Sequence, residues 1–111
     1  MKRGDIFFAN LDPTVGSEIK KKRPVLIVSN DANNKAAATV TVVPLTSNTN
    51  RIYPFEVFLD ATDSGLQKNS KAQCHQVRTI SKLRIAGKLA GQVDSRLMSK
   101  VEAALILHLD L

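Results

Sequence analysis

The sequence predicts a mainly β fold with a C-terminal α-helix, arranged as a small curled sheet or SH3-like barrel. Short β-branched and alternating runs, separated by turn residues, occupy the first three quarters of the chain. The loops between these runs have uneven lengths, whereas residues 94–111 place apolar residues at helical spacing. Because 111 residues are enough for one hydrophobic core, we expect residues 1–111 to form a single domain.

The first half of the chain contains three predicted strands. Residues 5–9 form the first strand, and a long polar loop follows at 10–22. The continuous apolar run at 24–29 is rich in β-branched residues, which predicts a strand that is buried on both faces. Threonine and valine alternate through the third strand at 39–46, where Pro44 predicts a bulge or a sheet edge.

The second half contains shorter strands between polar segments. After a polar loop at 47–54, residues 55–60 alternate and predict a strand. A turn-rich segment at 61–70 precedes a predicted strand at 71–80. A last strand or bend is expected within 85–93.

Two segments have helical signals. Asn30 or Asp31 is expected to cap a short helical turn that ends near Ala37. Asp94 or Ser95 is expected to cap a terminal amphipathic helix. Its apolar stripe consists of Leu97, Val101, Ala104 and Leu105, with His108 at the same spacing.

Charge and cysteine content restrict the class of protein. Lys and Arg outnumber Asp and Glu by 16 to 10, which gives a net charge of +6 and favours a polyanionic partner. The single cysteine, Cys74, excludes an intramolecular disulfide and favours a reducing cytoplasm. Two histidines and one cysteine are too few for a structural zinc site. No apolar run of about 18 residues predicts a membrane span.

Five stretches in order carry a resemblance to a known family. They are KRGDIFFANLDPTVGSE at 2–18, RPVLIVSND at 23–31, VPLTS at 43–47, QVRTISKLRI at 76–85, and the closing helix. Together they span almost the whole chain and resemble the MazF, PemK and Kid family of bacterial toxin–antitoxin ribonucleases. Each stretch is a weak signal alone, and their order and spacing make the set specific.

The resemblance implies a fold, an activity and partners. The implied fold is the plasmid-maintenance-toxin barrel, assembled as a homodimer. The implied activity is sequence-specific cleavage of single-stranded mRNA, independent of the ribosome and without a metal or other cofactor. The RNA 2′-hydroxyl attacks, which leaves a 2′,3′-cyclic phosphate and a 5′-hydroxyl and arrests growth. An acidic antitoxin with a tail that is disordered when free would block the RNA groove, and the toxin–antitoxin complex would contact operator DNA.

Three residues are candidates for catalysis. The resemblance assigns Arg23 as a cation on the scissile phosphate, for which its planar fork of donors is suited. It also assigns Thr46 as a hydroxyl donor there, with its neighbour Ser47 facing away along the strand. His75 stands where the family frequently has an acidic residue, and it is either a general base or acid, or a structural histidine.

Several polar residues are candidates for RNA binding, with structural alternatives. The candidates are Ser17, Glu18, Lys20, Lys21, Lys22, Arg51, Tyr53, Gln76 and Arg78. The first-loop lysines attract phosphate or serve solubility alone, and Glu18 is a candidate second base or base-edge acceptor. Tyr53 is the best ring for base stacking. Arg78 contacts the groove or an internal partner.

Cys74 is expected to be a small core residue. A Cys74–His75 nucleophile pair is not expected, because neighbours on a strand point to opposite faces. Two readings without catalysis stay open for the whole chain. One is a toxin on the same fold that binds DNA gyrase, and the other is a nucleic-acid-binding module on an SH3-like barrel.

Overall fold

The computed structural model describes all 111 residues, which form seven strands and three α-helices. The strands are β1 (Asp5–Asn10), β2 (Lys22–Ile27), β3 (Thr39–Thr46), β4 (Glu56–Leu59), β5 (Ser70–Gln73), β6 (Arg78–Ser81) and β7 (Ile85–Gln92). The helices are α1 (Asp31–Ala36), α2 (Ala61–Ser64) and α3 (Ser95–Leu109). Two 3₁₀ helices, Cys74–Gln76 and Lys82–Arg84, flank β6.

The strands form one antiparallel sheet in the order β4-β5-β3-β2-β1-β7, with β6 paired to β3 outside this path. The sheet is not closed, because β4, β6 and β7 each pair with one strand only. The prediction of a mainly β fold with a C-terminal helix is therefore confirmed, and the expected barrel is open.

The apolar run of β2 is covered on both faces, as its sequence predicts. Val25 and Ile27 belong to one buried cluster, whereas Leu26 belongs to a larger cluster on the other face. All three side chains are fully buried. This burial holds β2, with Lys22 and Arg23 at its start, at a fixed place in the molecule.

Pro44 lies where one edge of β3 changes its partner. β6 pairs with Thr39–Val42, and β5 pairs with Leu45 and Thr46. Pro44 itself pairs with Val25 on the other edge. A residue without an N–H fits this gap between two partners, because no ladder hydrogen bond is lost there.

The predicted single strand at 71–80 is wrong. It consists of β5 and β6, separated by the 3₁₀ helix Cys74–Gln76. Both segments run antiparallel to the same edge of β3, but three residues separate Leu45 from Val42 whereas six separate their partners Ala72 and Arg78. The 3₁₀ helix takes up the three extra residues. The turn-rich segment at 61–70 also contains the short helix α2, which the sequence does not predict.

The helix predictions at 30–37 and 94–111 are confirmed. Asn30 caps α1 by accepting a hydrogen bond from Asn33 N–H at 2.8 Å. Asp94 caps α3 by accepting one from Leu97 N–H at 2.9 Å. The inner stripe of α3 packs on the larger cluster, whereas its last turn exposes apolar side chains. No helix is both long and apolar enough to cross a membrane.

Replacing Asp94 with alanine removes the acceptor that caps α3. We expect the free energy of unfolding to fall by about 1 kcal/mol, measured by urea denaturation followed by circular dichroism. Ser95→Ala is the control, because alanine keeps the backbone carbonyl through which Ser95 accepts a bond from Ser99. Its expected change is below about 0.5 kcal/mol. An equal loss in both variants would contradict the capping role of Asp94.

Candidate functional site

A cavity of about 630 Å³ opens beside the start of β2, the end of β3 and the segment that follows α2. Its apolar lining comes from Phe8, Pro24, Leu45, Leu66 and Ala90. Its polar lining comes from Lys21, Lys22, Arg23, Thr46, Ser47, Gln67, Lys68 and Ser70. The lining thus combines cations, hydroxyls and an amide, and it contains no carboxylate.

Arg23 and Thr46 meet in this cavity because of the register between β2 and β3. The paired register ends at Val25–Pro44, and its antiparallel continuation aligns Arg23, two residues before Val25, with Thr46, two residues after Pro44. Both residues line the cavity. Arg23 Nε donates to the backbone carbonyl of Lys20 at 3.2 Å, which orients the guanidinium. Its remaining N–H groups are available to an anion in the cavity.

Thr46 presents a free hydroxyl proton to the cavity. Its Oγ1 accepts a hydrogen bond from Asn48 N–H at 3.2 Å, so its own O–H is available as a donor. Ser47, expected to face away, also lines the cavity, because β3 ends at Thr46 and the alternation of faces ends with it. Hydroxyl and guanidinium donors therefore converge on one space.

Only the end of the first loop lines the cavity, and other residues of the loop lie on the surface. Lys21 and Lys22 line the cavity, whereas Ser17 and Lys20 are exposed residues outside its lining. Glu18 accepts a hydrogen bond from Val15 N–H at 2.6 Å, which closes a local turn. Lys21 has a φ of 71° and donates its N–H to Asp12 Oδ1 at 3.1 Å.

Gln76 and Arg78 contact the two ends of the same loop. Gln76 Oε1 accepts a hydrogen bond from Ile19 N–H at 3.5 Å, and Arg78 donates to the carbonyl of Leu11 at 3.3 Å. Both residues are half-buried and neither lines the cavity. In this structure they hold the loop that carries Lys21 and Lys22.

His75 lies in a second cluster, outside the lining of the cavity. Its ring packs edge-on against Phe55 at 4.5 Å, and the ring of His108 lies 6.3 Å away. His75 is on a 3₁₀ helix, so its predicted position on a strand is wrong. Its Nδ1 atom is buried and has no hydrogen-bond partner.

Burial lowers the pKa of His75 below its ordinary 6.5. The positive charges of His108 and Lys71 act in the same direction, whereas Glu56 opposes them. Because the pKa is lowered, the imidazole is mainly neutral at pH 7. A neutral imidazole can accept a proton, so this environment suits a base better than an acid.

Cys74 is buried, and burial raises its pKa to about 12, with Glu56 adding to the rise. The thiolate is therefore scarce at neutral pH. This agrees with the expected core role of Cys74, although the 3₁₀ helix replaces the strand on which that expectation was argued.

A buried ion pair holds the segment that carries Arg51 and Tyr53. Lys71 Nζ lies 3.0 Å from Glu56 Oε1 and donates to the carbonyl of Arg51 at 2.7 Å. Tyr53 stacks on Phe55 at 5.5 Å, and the Arg51 guanidinium lies 4.6 Å from the Tyr53 ring centre. The Tyr53 ring is 40% exposed, so part of its surface is open for stacking.

Three polar residues of the cavity, Gln67, Lys68 and Ser70, are missing from the candidates that the sequence predicts. They lie in the turn-rich segment at 61–70. Two adjacent polar residues, Gln67 and Lys68, shortly before a strand are the sequence signal for this part of the site. That signal does not show which face of the molecule the two side chains occupy. Their position depends on contacts with distant parts of the chain.

Comparisons with known proteins show the family. A sequence profile described as "PemK-like, MazF-like toxin of type II toxin-antitoxin system" matches residues 2–109. The chain is 44% identical over 116 residues to "Endoribonuclease MazF9" of Mycobacterium tuberculosis, covering 100% of this chain and 98% of that protein. It is 38% identical over 112 residues to "Endoribonuclease EndoA" of Bacillus subtilis, covering 100% and 96%.

Solved structures agree with this assignment. A structure described as "Endoribonuclease in complex with its cognate antitoxin from Mycobacterial species" has a TM-score of 0.80 and 29% identity, covering 100% of this chain and 96% of that one. A MazF structure from Deinococcus radiodurans has a TM-score of 0.86 at 23% identity, covering 100% and 97%, and shows the fold alone.

Proposed function

The chain belongs to the PemK-like, MazF-like toxin family of type II toxin–antitoxin systems, and we propose that it is a sequence-specific endoribonuclease toxin. Its substrate is single-stranded mRNA, which it cuts independently of the ribosome. The observation that carries the proposal is the convergence of Arg23 and Thr46 in a cationic cavity without carboxylates. Such a lining attracts a phosphodiester and supplies donors to its oxygens.

The proposed reaction is attack by the RNA's own 2′-hydroxyl oxygen on the adjacent phosphorus. The bond from phosphorus to the 5′-oxygen breaks, which leaves a 2′,3′-cyclic phosphate and a 5′-hydroxyl. Arg23 donates to the non-bridging oxygens, where negative charge increases in the transition state. Thr46 donates to the same phosphate or to the leaving oxygen. Lys21 and Lys22 hold the strand by charge.

His75 is proposed to take the proton of the attacking 2′-hydroxyl, with Glu18 as the candidate second base, and the leaving 5′-oxygen takes a proton from the protonated base or from water. The cavity lining contains no histidine and no carboxylate, whereas burial lowers the pKa of His75 and leaves its ring mainly neutral at pH 7. Because His75 lies outside the cavity lining, this role requires the His75 ring to come within hydrogen-bond reach of the 2′-hydroxyl beside the phosphate that Arg23 and Thr46 contact. Tyr53 and Arg51, beside that cluster, are proposed to contact the same strand.

We propose that cleavage needs no metal or other cofactor. No group of three His, Cys, Asp or Glu side chains comes together in the chain in a way that could hold a metal ion. The nucleophile is the RNA's own 2′-hydroxyl, so no metal-bound water has to be generated, and Arg23 supplies the positive charge that a metal would otherwise provide.

The proposed partners are an acidic antitoxin and a second copy of the chain. A cavity that attracts RNA also attracts an acidic, disordered tail, which would block it. The exposed apolar side chains Ile106, Leu107, Leu109 and Leu111 support a homodimer. The toxin acts in the cytoplasm and arrests growth, and with its antitoxin it contacts operator DNA.

Cleavage should depend on the cavity donors and not on a metal. In EDTA, wild type is expected to cut a long unstructured RNA and to leave matching single-stranded DNA intact. Arg23→Ala should lower the single-turnover rate by about 10²–10³-fold, and Thr46→Val by at least about tenfold. Mapping of both new ends should show the cyclic phosphate and the 5′-hydroxyl.

Arg96→Ala is the matched control, because Arg96 is exposed and lies outside the cavity lining. Its rate should equal that of wild type. If folded wild type leaves every RNA intact, the nuclease proposal fails. RNA binding without cleavage would then favour a nucleic-acid-binding module, and inhibition of DNA gyrase would favour a gyrase-directed toxin.

If His75 is the general base, the wild-type rate should fall as pH decreases through the lowered pKa of His75, because only the neutral ring accepts a proton. His75→Ala should be about 10²-fold slower, and its rate should lose this decrease in the acid range. Added imidazole should restore part of the rate. A variant with the wild-type rate and pH profile would show that His75 is not catalytic.

A further inference from the structure

One wall of the cavity is formed by the segment Gly65–Lys68, which follows α2. Gly65 ends α2 with a φ of 78°, a left-handed conformation that suits glycine and reverses the chain. Leu66 packs against the larger hydrophobic cluster. Gln67 and Lys68 are exposed between this anchor and Ser70, which is buried.

Local hydrogen bonds hold this wall in one conformation. Ser70 Oγ donates to the carbonyl of Lys68 at 3.2 Å, and Leu66 N–H donates to Ser64 Oγ at 3.3 Å. Asn69 Oδ1 accepts from Ala61 N–H at 2.9 Å, which closes the segment on the start of α2. Lys68 is therefore attached to a fixed backbone.

Gly91 sets how closely β7 approaches the wall. A Cβ atom at Gly91 would collide with the backbone carbonyl oxygen of Ser64, immediately before Gly65. Only glycine permits this approach without a shift of α2. The central sheet, through β7, thus fixes the distance from the wall to Arg23 and Thr46.

Lys68 is a cation without an acidic partner. The ion pairs of the chain are Arg3–Glu102, Lys71–Glu56 and Arg96–Asp63, and none involves a cavity residue. Four cations, Lys21, Lys22, Arg23 and Lys68, therefore share one cavity with no negative side chain among its lining residues. Like charges around a common space repel one another unless an anion lies between them.

The cavity has room for more than the phosphate that Arg23 and Thr46 contact. Its volume of about 630 Å³ lies within the range of about 300–1,000 Å³ in which pockets enclose a whole small ligand. A nucleotide placed on Arg23 and Thr46 carries a second phosphate at its other end. Lys21 and Lys22 directly precede Arg23 in the chain, so Lys68, on the wall formed by Gly65–Lys68, is the one cavity cation that a different segment offers to that phosphate.

We propose that Lys68 binds the RNA phosphate adjacent to the scissile phosphate, and that the wall Gly65–Lys68 thereby positions the strand for cleavage. The proposal rests on the proposed function, since it concerns the same RNA in the same cavity. Lysine is a point charge that reads no base, so Lys68 contributes equally to every RNA sequence. Lys68 is a positioning residue that acts through the neighbouring phosphate.

The test measures binding of a short RNA that cannot be cut, with a single 2′-deoxy nucleotide on the 5′ side of the scissile phosphate. Lys68→Ala is expected to weaken binding about three- to tenfold and to reduce the slope of log K against log salt by about 0.7. Lys68→Arg should keep the wild-type slope. Lys88→Ala, which removes an exposed lysine of β7 outside the cavity lining, should leave both quantities unchanged.

A neutral methylphosphonate, placed at one phosphate at a time, identifies the contact. A methylphosphonate at the phosphate next to the scissile one should weaken binding to wild type. It should have little effect on binding to Lys68→Ala, because that variant already lacks the lysine that would pair with the phosphate charge. If wild type binds and cuts RNA but Lys68→Ala keeps its affinity and slope, this inference fails and the proposed function stands. If wild type neither binds nor cuts RNA, both fail.

Discussion

The antiparallel pairing of β2 with β3 is the constraint on which the candidate site depends. It places Arg23 opposite Thr46, and the burial of Val25, Leu26 and Ile27 fixes β2 at that register. A shift of one residue would move Leu26 into the cluster that holds Val25 and Ile27 and move those two into the other, so the packing of both clusters also specifies the geometry of the site. Catalysis by positioned charge requires this rigidity, because donors that must move at the moment of reaction lose much of their effect.

Around this fixed pair, Lys22 begins β2 and pairs with Asn10 of β1, whereas Lys21 ends the first loop. Side-chain contacts from Asp12, Gln76 and Arg78 hold that loop. By contrast, the buried Lys71–Glu56 pair fixes the position of the segment that carries Arg51 and Tyr53. Removal of either Lys71 or Glu56 would leave the other as an uncompensated buried charge. Electrostatic binding of RNA and cleavage of RNA thus depend on different parts of one surface. Only the electrostatic binding should weaken strongly as salt increases.

The sequence predicts the parts of the structure that depend on local signals. The strand at 39–46, the caps Asn30 and Asp94 and the double burial of β2 follow from propensity and pattern, and the family motifs point to Arg23 and Thr46. The break at Cys74–Gln76 could not be predicted, since it is a three-residue shift in the register of this segment along β3, which local pattern does not report. The place of Lys68 in the cavity depends on Gly91, 23 residues farther along the chain, which periodicity does not report. The position of His75 outside the cavity lining likewise depends on tertiary contacts.

The most direct test of the central claim uses one oxygen atom of the substrate. Two RNAs of the same sequence are compared, one all-ribose and one with a single 2′-deoxy nucleotide on the 5′ side of the cleaved bond. Wild type is expected to bind both with similar affinity and to cut only the all-ribose RNA at that bond, because the nucleophile is the hydroxyl that the other RNA lacks. Cleavage of the deoxy-substituted RNA at the same bond would contradict attack by the 2′-hydroxyl, since water or a side chain would then have to be the nucleophile.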